Sequence, residues 1–526
     1  MNLARLIDPH PAGAPALIDE DGTVTTYGRL RRLVAGERRR LAGDGVGPGD
    51  RVAIISPNEP AFVVAYLAIL GIGAIAVPLN PTSPQPELVH QLDAVEARAV
   101  LIGPASGGWL AGPEAHERLG AGRLVRTIDL NEPSPDADAR ATDARAADAN
   151  AAEADAEAEA DAAEAGPPVV DSLESDLAVL LFTAGTGGAP KAAMLTHGNL
   201  LANLEQMQRH PGRLVTGEDV YLGVNPLFHI FGLNVVLGLS LLAGGSVVLV
   251  RRFDPVATLD LIGRHKVTLL AGAPTMYAAW AAVPEGTGGT MASVRLLFSG
   301  AAPLPEEVAV AFERRFGLPL RQGYGLTEAA PVVTTAVLEE EARPTSIGVP
   351  LPGVEVRLVD EDGEDALAGD AGEIWVRGPN VFHGYWRDEE ATKTALTPDG
   401  WLRTGDVAVV GDRGDLYLVD RAKDLIIVSG FNVYPAEVEE VLLGHPAVAE
   451  CAVVGVENAT SGEAVRAYVV LKEGEQATAD ELIAYCATRL ARYKCPAEIS
   501  FETSLPHGLA GKLLRRALRQ QPLPEG

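Results

Sequence analysis

The sequence predicts an α/β protein that has a large N-terminal domain with mainly parallel sheets covered by helices, a small β subdomain, and a small α+β C-terminal domain. Short apolar, β-branched runs alternate with helical stretches over the first two-thirds of the chain, which is typical of buried parallel strands. From Gly348 the pattern changes to short strands with turns, and from near Arg421 it indicates helix, strand, strand and helix. The length of 526 residues also requires more than one core.

The predicted strands are short apolar runs, as is typical of buried strands, and they are bounded by turn residues. In the large domain they lie at 51–56, 74–77, 99–102, 177–182, 246–250, 267–271 and 294–299, and in the β subdomain at 354–359 and 373–376. In the last block the pattern predicts helices at 435–443 and 479–490 and strands at 447–456 and 465–471. We therefore divide the chain into domains at residues 1–420 and 421–526.

One uncharged run, 61–79, has the length of a membrane span. Gly71 and Gly73 interrupt it, and Pro78 with Pro81 closes it, so a buried helix at 60–70 followed by a strand explains the run better. The run at 233–242, which ends at two glycines, has the same explanation. Because the N-terminal residues also lack the apolar core of a signal peptide, we expect a soluble, cytoplasmic protein without an integral membrane segment.

The formal net charge of -28 argues against non-specific binding to nucleic acid or to an anionic membrane surface. Much of this charge lies in an alanine-rich acidic segment at 136–165, which cannot bury an apolar face and is expected to be a disordered, solvated insert. The three cysteines have neither metal-ligand nor disulfide spacing, which indicates reduced, structural thiols.

A glycine- and threonine-rich loop follows the strand predicted at 177–182. Its glycines would let backbone N–H groups approach an anion, while its threonines add hydroxyl donors and its lysine adds a positive charge. The candidate phosphate-binding residues are Thr183, Gly185, Thr186, Gly187, Gly188 and Lys191. It is not a Walker A loop, because Pro190 precedes the lysine and no Ser or Thr follows it.

The loop resembles the signature Thr-Ser-Gly-Thr-Thr-Gly-x-Pro-Lys-Gly of the adenylate-forming superfamily, which includes acyl-CoA synthetases, luciferases and the adenylation domains of peptide synthetases. It departs from that signature at Ala184, Gly187 and Ala192, where the family has Ser, Thr and Gly. Two hydroxyl donors to the ATP phosphates are therefore missing, which predicts slower adenylation or weaker ATP binding unless backbone donors replace them.

Residues 322–328 resemble the adenine and magnesium motif of the same superfamily. The resemblance implies a nucleotide-binding segment formed by Gln322, Gly323, Tyr324 and Gly325, with the ring of Tyr324 as a stacking face for a purine. It also implies that Thr327 donates to the α-phosphate and that Glu328 is the protein ligand of Mg²⁺.

Three further segments resemble the ribose, hinge and thioester-forming motifs. The resemblance implies that Asp406 and Arg421 bind the ribose, and that Lys423 is the hinge about which a mobile C-terminal domain turns between two half-reactions. It further implies that Gly430 leaves room for a thiol to reach the adenylate, and that Lys512 is the adenylation lysine.

Residues 225–232 resemble the pocket motif of fatty-acid and 4-coumarate–CoA ligases. His229 is then expected beside the substrate carboxylate or at the pocket entrance, although a satisfied core histidine is the alternative. The implied pocket and nucleotide walls are His229, Phe231, Gly300, Ala301, Gly323, Pro331 and Val332. Apart from His229, these residues are uncharged, which favours an aliphatic or aryl acid as substrate. The motif also lacks the Asp that would bind the α-ammonium group of an amino acid, so amino acids are disfavoured as substrates.

These resemblances predict an AMP-forming acid–thiol ligase that uses ATP, Mg²⁺ and coenzyme A and acts in fatty-acid or other lipid metabolism. A carrier-protein thiol in place of coenzyme A remains an alternative, as does a non-catalytic nucleotide-binding protein with an altered phosphate loop. The identity of the acid, the pathway and the oligomeric state are left open by the sequence.

Overall fold

The computed structural model describes residues 1–112, 114–120, 122–128, 130, 167–183, 190–210, 215–286, 289–302, 304–337, 343, 345–360, 363–367, 369–421, 426–433, 435–458, 460–505 and 518. The acidic segment predicted to be disordered lies outside these residues. Among the described residues, no helix is both long and apolar enough to cross a membrane.

The first sheet has six strands in the order β6-β5-β3-β4-β7-β8, and its pairs are parallel except for the last one. Its strands are β3 (Arg51–Ile55), β4 (Ile75–Leu79), β5 (Ala99–Ile102), β6 (Leu124–Thr127), β7 (Leu177–Thr183) and β8 (Lys191–Thr196). Helix α1 (Tyr27–Gly43) precedes these strands, and the helices between them are α2 (Pro60–Gly71), α3 (Gln85–Ala94) and α4 (Glu114–Gly120). Helix α2 is buried from Ala61 onward, which confirms a core helix where the uncharged run lies.

The prediction that Pro78 ends that run was wrong. Pro78 lies inside β4 and is the register partner of Ile54 in β3. On the other side of β4, the register with β7 is confined to Ala76 and Val179, so the N–H group that proline lacks is not needed for an extended ladder there.

The second sheet is a path of thirteen strands in the order β16-β17-β18-β19-β15-β14-β13-β12-β11-β9-β10-β1-β2. Its pairs are antiparallel from β16 to β13, parallel from β13 to β1, and antiparallel between β1 and β2. Its first part contains β1 (Pro15–Ile18), β2 (Val24–Thr26), β9 (Val220–Gly223), β10 (Ser246–Leu249), β11 (Leu269–Gly272), β12 (Leu296–Ser299) and β13 (Arg321–Gly325). Its second part contains β14 (Val332–Thr335), β15 (Ser346–Pro350), β16 (Glu355–Val359), β17 (Gly372–Arg377), β18 (Leu402–Val410) and β19 (Leu416–Arg421). The predicted β subdomain is therefore hydrogen-bonded to the parallel sheet through β13 and β14.

The helices of this half are α5 (His197–Arg209), α6 (Leu239–Ala243), α7 (Pro255–His265), α8 (Pro274–Ala282), α9 (Glu306–Phe316) and α10 (Glu389–Ala395). The helical run predicted at 233–242 is a π-helix, Phe231–Gly238, that continues into α6. Gly232 allows this close turn, because a Cβ atom there would lie 2.3 Å from the carbonyl oxygen of Pro226.

Among the described residues, the small C-terminal domain forms a five-stranded sheet with two helices, whereas the sequence pattern predicted two helices and only two strands. The three strands that were missed have only three or four residues each. Strands β20 (Ile426–Val428), β21 (Phe431–Val433), β22 (Val448–Asn458), β23 (Gly462–Leu471) and β24 (Glu498–Phe501) carry helices α11 (Pro435–Leu443) and α12 (Ala479–Ala487). Cys451 and Cys486 lie in the core of this domain.

Candidate active site

One cavity of about 480 Å³ contains most of the predicted site residues. It opens between the C-terminal ends of the central strands, the β18–β19 pair and the β20–β21 turn of the C-terminal domain. Its lining includes Thr183, Lys191, His229, Phe231, Gly300, Ala301, Gln322, Gly323, Tyr324, Gly325, Thr327, Glu328, Pro331, Val332, Asp406 and Gly430. Residues from five separate sequence motifs therefore meet at one place.

Several predicted residues lie outside the part of the chain that the structure describes. These are Gly185, Thr186, Gly187, Gly188, Lys423 and Lys512. For Arg421 the structure describes the backbone, which pairs with Asp406 across the β18–β19 ladder. The pairing therefore brings together the two residues predicted to bind a ribose.

The phosphate loop joins two antiparallel strands. Thr183 ends β7, Lys191 begins β8, and the two residues face each other in register. The Nζ atom of Lys191 lies 3.7 Å from Oδ2 of Asp388 and 5.5 Å from the ring centroid of Tyr385. The hairpin therefore presents one hydroxyl and one ammonium group to the cavity.

Glu328 lies on a 3₁₀ turn, Thr327–Ala329, that directly follows β13. Its Oε1 atom accepts hydrogen bonds from the hydroxyl groups of Tyr385 at 2.7 Å and Thr183 at 3.4 Å. Burial raises the pKa of Glu328, and these two hydrogen bonds oppose the rise. Among the described residues, the hydrogen-bond partners of this carboxylate are thus neutral donors, which do not compensate its charge.

A divalent cation fits this environment. The buried carboxylate is a hard oxygen ligand, and a cation would supply the charge that Tyr385 and Thr183 do not. Among the described residues, no group of three or more His, Cys, Asp or Glu side chains could hold a metal ion. A Mg²⁺ ion at Glu328 would therefore take its other ligands from substrate phosphates and water, which is the usual arrangement for this ion.

Asp406 and Tyr324 are joined by a hydrogen bond of 2.8 Å from the tyrosine hydroxyl to Oδ2. Tyr324 lies on β13 and Asp406 on β18, so this contact spans the middle of the long sheet. The aromatic ring and the carboxylate are thereby held beside each other, in the relation that a stacked base and its sugar require.

His229 faces the cavity from the loop that follows β9. Its Nδ1 atom accepts a hydrogen bond of 3.2 Å from the backbone N–H of Phe231, so the proton of the neutral ring is on Nε2. Burial lowers the pKa of His229 to about 4. At neutral pH the ring is therefore an uncharged hydrogen-bond donor.

Gly430 lies in the two-residue turn between β20 and β21. Ser429 and Gly430 have φ values of +52° and +84°, which indicate a type I′ hairpin turn. A Cβ atom at Gly430 would lie 3.1 Å from Cβ of Ala273 and 3.7 Å from Cβ of Ala301. The turn therefore closes over the large domain with room for no side chain at this position.

The cavity has two chemically different ends. We call the region of Thr183, Lys191, Tyr324, Glu328 and Asp406 the polar end. We call the region of Met207, Tyr221, Val235, Leu239, Leu296 and Phe298 the apolar end. Gly300 lies between them, where a Cβ atom would lie 3.1 Å from the Phe231 ring, so glycine keeps the passage open.

Buried charges join the two domains on the far side of the Gly430 turn. Lys494 Nζ lies 3.0 Å from Oε1 of Glu87 in α3 and 2.8 Å from Oε1 of Glu437 in α11. All three side chains are buried. Burial alone would lower the pKa of Lys494, but the neighbouring carboxylates raise it, so the lysine remains charged. This triad crosses the interface in the arrangement in which Gly430 faces the cavity.

Sequence reasoning missed Tyr385 and the whole apolar end. Residues 383–386 pair with β8 through backbone hydrogen bonds, and this pairing alone brings the Tyr385 hydroxyl to Glu328. The apolar end combines α5, β9, the π-helix, α6 and β12, and its members carry no signal beyond that of ordinary core residues.

Comparison with known proteins supports the same grouping of motifs. The family model "AMP-binding enzyme" matches residues 4–386, and the model "AMP-binding enzyme C-terminal domain" matches residues 437–512. A feruloyl-CoA synthase of Amycolatopsis sp is 40% identical over 503 residues, which cover 95% of this chain and 94% of that protein. A long-chain-fatty-acid–CoA ligase of Bacillus subtilis is 37% identical over 501 residues, which cover 91% and 87%.

Among solved structures, the amide bond synthetase McbA from Marinactinospora thermotolerans superposes with a TM-score of 0.84. The match covers 99% of both chains at 31% identity. These matches confirm the fold class and the resemblance that the motifs carry. The chain belongs to the AMP-binding enzyme family.

Proposed function

We propose that this protein is an ATP-dependent acyl-CoA synthetase for an aryl or fatty carboxylic acid, and that it releases AMP and pyrophosphate. The observation that carries the proposal is the single cavity with a polar end and an apolar end, covered by the glycine turn of the C-terminal domain. A nucleotide at the polar end and an acyl group at the apolar end would meet near Gly300 and His229. The similarity to CoA ligases for feruloyl and long-chain fatty acyl groups supports the same acid class.

In the first step the acid carboxylate attacks the α-phosphorus of ATP and expels pyrophosphate. Thr183, Lys191 and Thr327 would orient the phosphates, and Asp406 with Arg421 would bind the ribose hydroxyls. Neutral His229 would donate from Nε2 toward the substrate carboxylate without adding charge. Lys512 would contact the reacting carboxylate and α-phosphate in this step only.

Glu328 is the residue that would hold Mg²⁺. The ion would neutralise charge on the phosphates as pyrophosphate leaves. Tyr385 and Thr183 would keep the carboxylate oriented, because both donate to its Oε1 atom.

In the second step a thiol attacks the acyl-adenylate and AMP leaves. We infer that the C-terminal domain turns about Lys423 between the steps, which takes Lys512 away and brings Gly430 to the cavity. The place of Gly430 in the cavity lining, where an added Cβ atom would lie 3.1 Å from Cβ of Ala273, agrees with the second arrangement. A cleft of about 1060 Å³ between the domains, lined by Val428 at the end of β20, would admit the rest of coenzyme A.

Two alternative functions remain. One differs in the acceptor of the acyl group, and the other in whether the protein catalyses a reaction at all. In the first, a carrier-protein thiol accepts the acyl group. In the second, the protein binds nucleotide without catalysis because its phosphate loop lacks two hydroxyl donors at Ala184 and Gly187.

The test is to incubate the protein with ATP, magnesium and a panel of aryl and fatty acids, with and without coenzyme A. We expect acid-dependent pyrophosphate release, and acyl-CoA when coenzyme A is present. Acyl-AMP that coenzyme A does not consume would show that the acceptor is another thiol or an amine. Nucleotide binding without pyrophosphate release for any acid would show that the protein is not a synthetase.

A further inference from the structure

The apolar end of the cavity contains one polar group, the hydroxyl of Tyr221. Tyr221 is 2% exposed, lies on β9 and lines the cavity. Its hydroxyl forms no hydrogen bond with any residue that the structure describes. Two other buried tyrosines behave differently, because Tyr27 donates to the carbonyl of Gly245 at 2.8 Å and Tyr277 to that of Phe298 at 2.7 Å.

The carboxylate on the same side of β9 is not available to this hydroxyl. Asp219 accepts hydrogen bonds from Arg295, from the side chain of Thr268, and from the backbone and side chain of Thr216. Both of its oxygens are therefore occupied. The other residues of the apolar end, among them Met207 and Leu239, have no hydrogen-bonding side chain.

The register of the sheet shows how deep in the cavity Tyr221 lies. Tyr221 pairs with Leu269, and Leu269 pairs with Leu296, so Tyr221 and Leu296 are at one level across three strands. Alternate residues Leu296, Phe298 and Gly300 line the cavity floor. Gly300 lies four positions after Leu296, which corresponds to about 13 Å along the sheet. Tyr221 is thus at the level of Leu296, two strand repeats away from Gly300 and on the side of the apolar end.

An unpaired hydroxyl in an apolar pocket is unfavourable unless a ligand group binds it. Building on the proposed acyl-CoA synthetase function, we propose that Tyr221 is a specificity-determining residue that hydrogen-bonds a polar substituent at the end of the acid remote from its carboxyl group. The substrate class is therefore an aryl acid with a hydroxyl opposite the carboxyl-bearing chain, such as a 4-hydroxyphenylpropenoic acid. A saturated fatty acid would leave the hydroxyl unpaired.

The test compares kcat/KM for 4-hydroxyphenylpropenoic, 3-hydroxyphenylpropenoic, unsubstituted phenylpropenoic and graded saturated fatty acids in the wild type and in Tyr221→Phe. We expect the wild type to prefer the 4-hydroxy acid over the unsubstituted acid by about tenfold or more. Tyr221→Phe should remove that preference, while KM for ATP and the rate with the unsubstituted acid stay within about twofold.

Tyr66→Phe is the matched control. Tyr66 is also buried, its hydroxyl likewise has no hydrogen bond to a described residue, and it is not part of the cavity lining. It should keep the wild-type preference. Equal use of the 4-hydroxy and unsubstituted acids by the wild type, or an unchanged preference in Tyr221→Phe, would overturn the proposal for Tyr221 alone. Inactivity of the wild type with every acid would instead contradict the proposed function.

Discussion

The polar and apolar ends of the cavity differ in the way their residues reach it. At the polar end, Glu328, Asp406 and Tyr324 bond to partners such as Tyr385 across strands that are far apart in sequence. At the apolar end, side chains from two helical segments and two strands pack by shape, and one hydroxyl is left without a described partner. We therefore expect the polar end to bind one charged ligand, whereas substitution of a single core residue can change which acyl group the apolar end accepts.

The largest effect is expected for Glu328→Gln. Glutamine keeps the shape and can still accept from Tyr385 and Thr183, but it lacks the charge that would hold a magnesium ion. Acid-dependent pyrophosphate release should fall by about 10²- to 10³-fold, and it should fall equally for all acids. Glu389→Gln, at an exposed helix position outside the cavity lining, is the control. A change in acid preference would contradict the separation of the two ends.

The next effect is expected for Gly430→Val. A side chain here meets Ala273 and is strained at a φ of +84°. Acyl-CoA formation from preformed acyl-AMP should fall by about 100-fold, while pyrophosphate release is retained. Gly414→Val provides the control, since Gly414 has a φ of +79° but open space around it. Equal loss of both half-reactions would remove the β20–β21 turn from the transfer step.

A smaller effect is expected for Leu296→Ala at the apolar end. Shortening this side chain enlarges the cavity floor, so the ratio of kcat/KM values should shift by about tenfold toward bulkier acids. KM for ATP should not change. Leu297→Ala is a matched control, because Leu297 points to the other face of β12 and packs in a separate core cluster. If both variants shift acid preference, the effect comes from general loosening of the sheet.

The smallest effect is expected for Glu87→Gln in the buried interface. Glutamine weakens the contact across the domains to Lys494 but keeps a hydrogen-bond acceptor. Acyl transfer should slow by roughly threefold, with pyrophosphate release unchanged. Glu437→Gln weakens the contact within the C-terminal domain, so it should lower thermal stability without the selective effect on transfer.

The local pattern was enough to predict individual elements closely. Helix α11 has the predicted bounds, and β5 matches as well. The predicted bounds were wrong where neighbouring elements determine at which residue a strand or helix begins or ends. Strand β11 begins two residues later than predicted, α12 ends three residues earlier, and Pro78 remains inside a strand.

The motifs also predicted the polar end residue by residue, since each motif keeps its ligand groups within a few positions of one another. The described members of five motifs meet in one cavity. The roles of Lys423 and Lys512 stay predictions.

The sequence by itself determined the fold class and the family, and it predicted the nucleotide-binding groups, because all three depend on local periodicity and on short motifs. Only the tertiary structure decided that Tyr385 supports Glu328, that Lys494 bridges the domains, and that Tyr221 is the polar group at the apolar end. Each of these contacts joins residues that are distant in sequence. A tyrosine in a buried strand looks the same in sequence whether its hydroxyl meets a carbonyl or a cavity, and packing alone decides between the two.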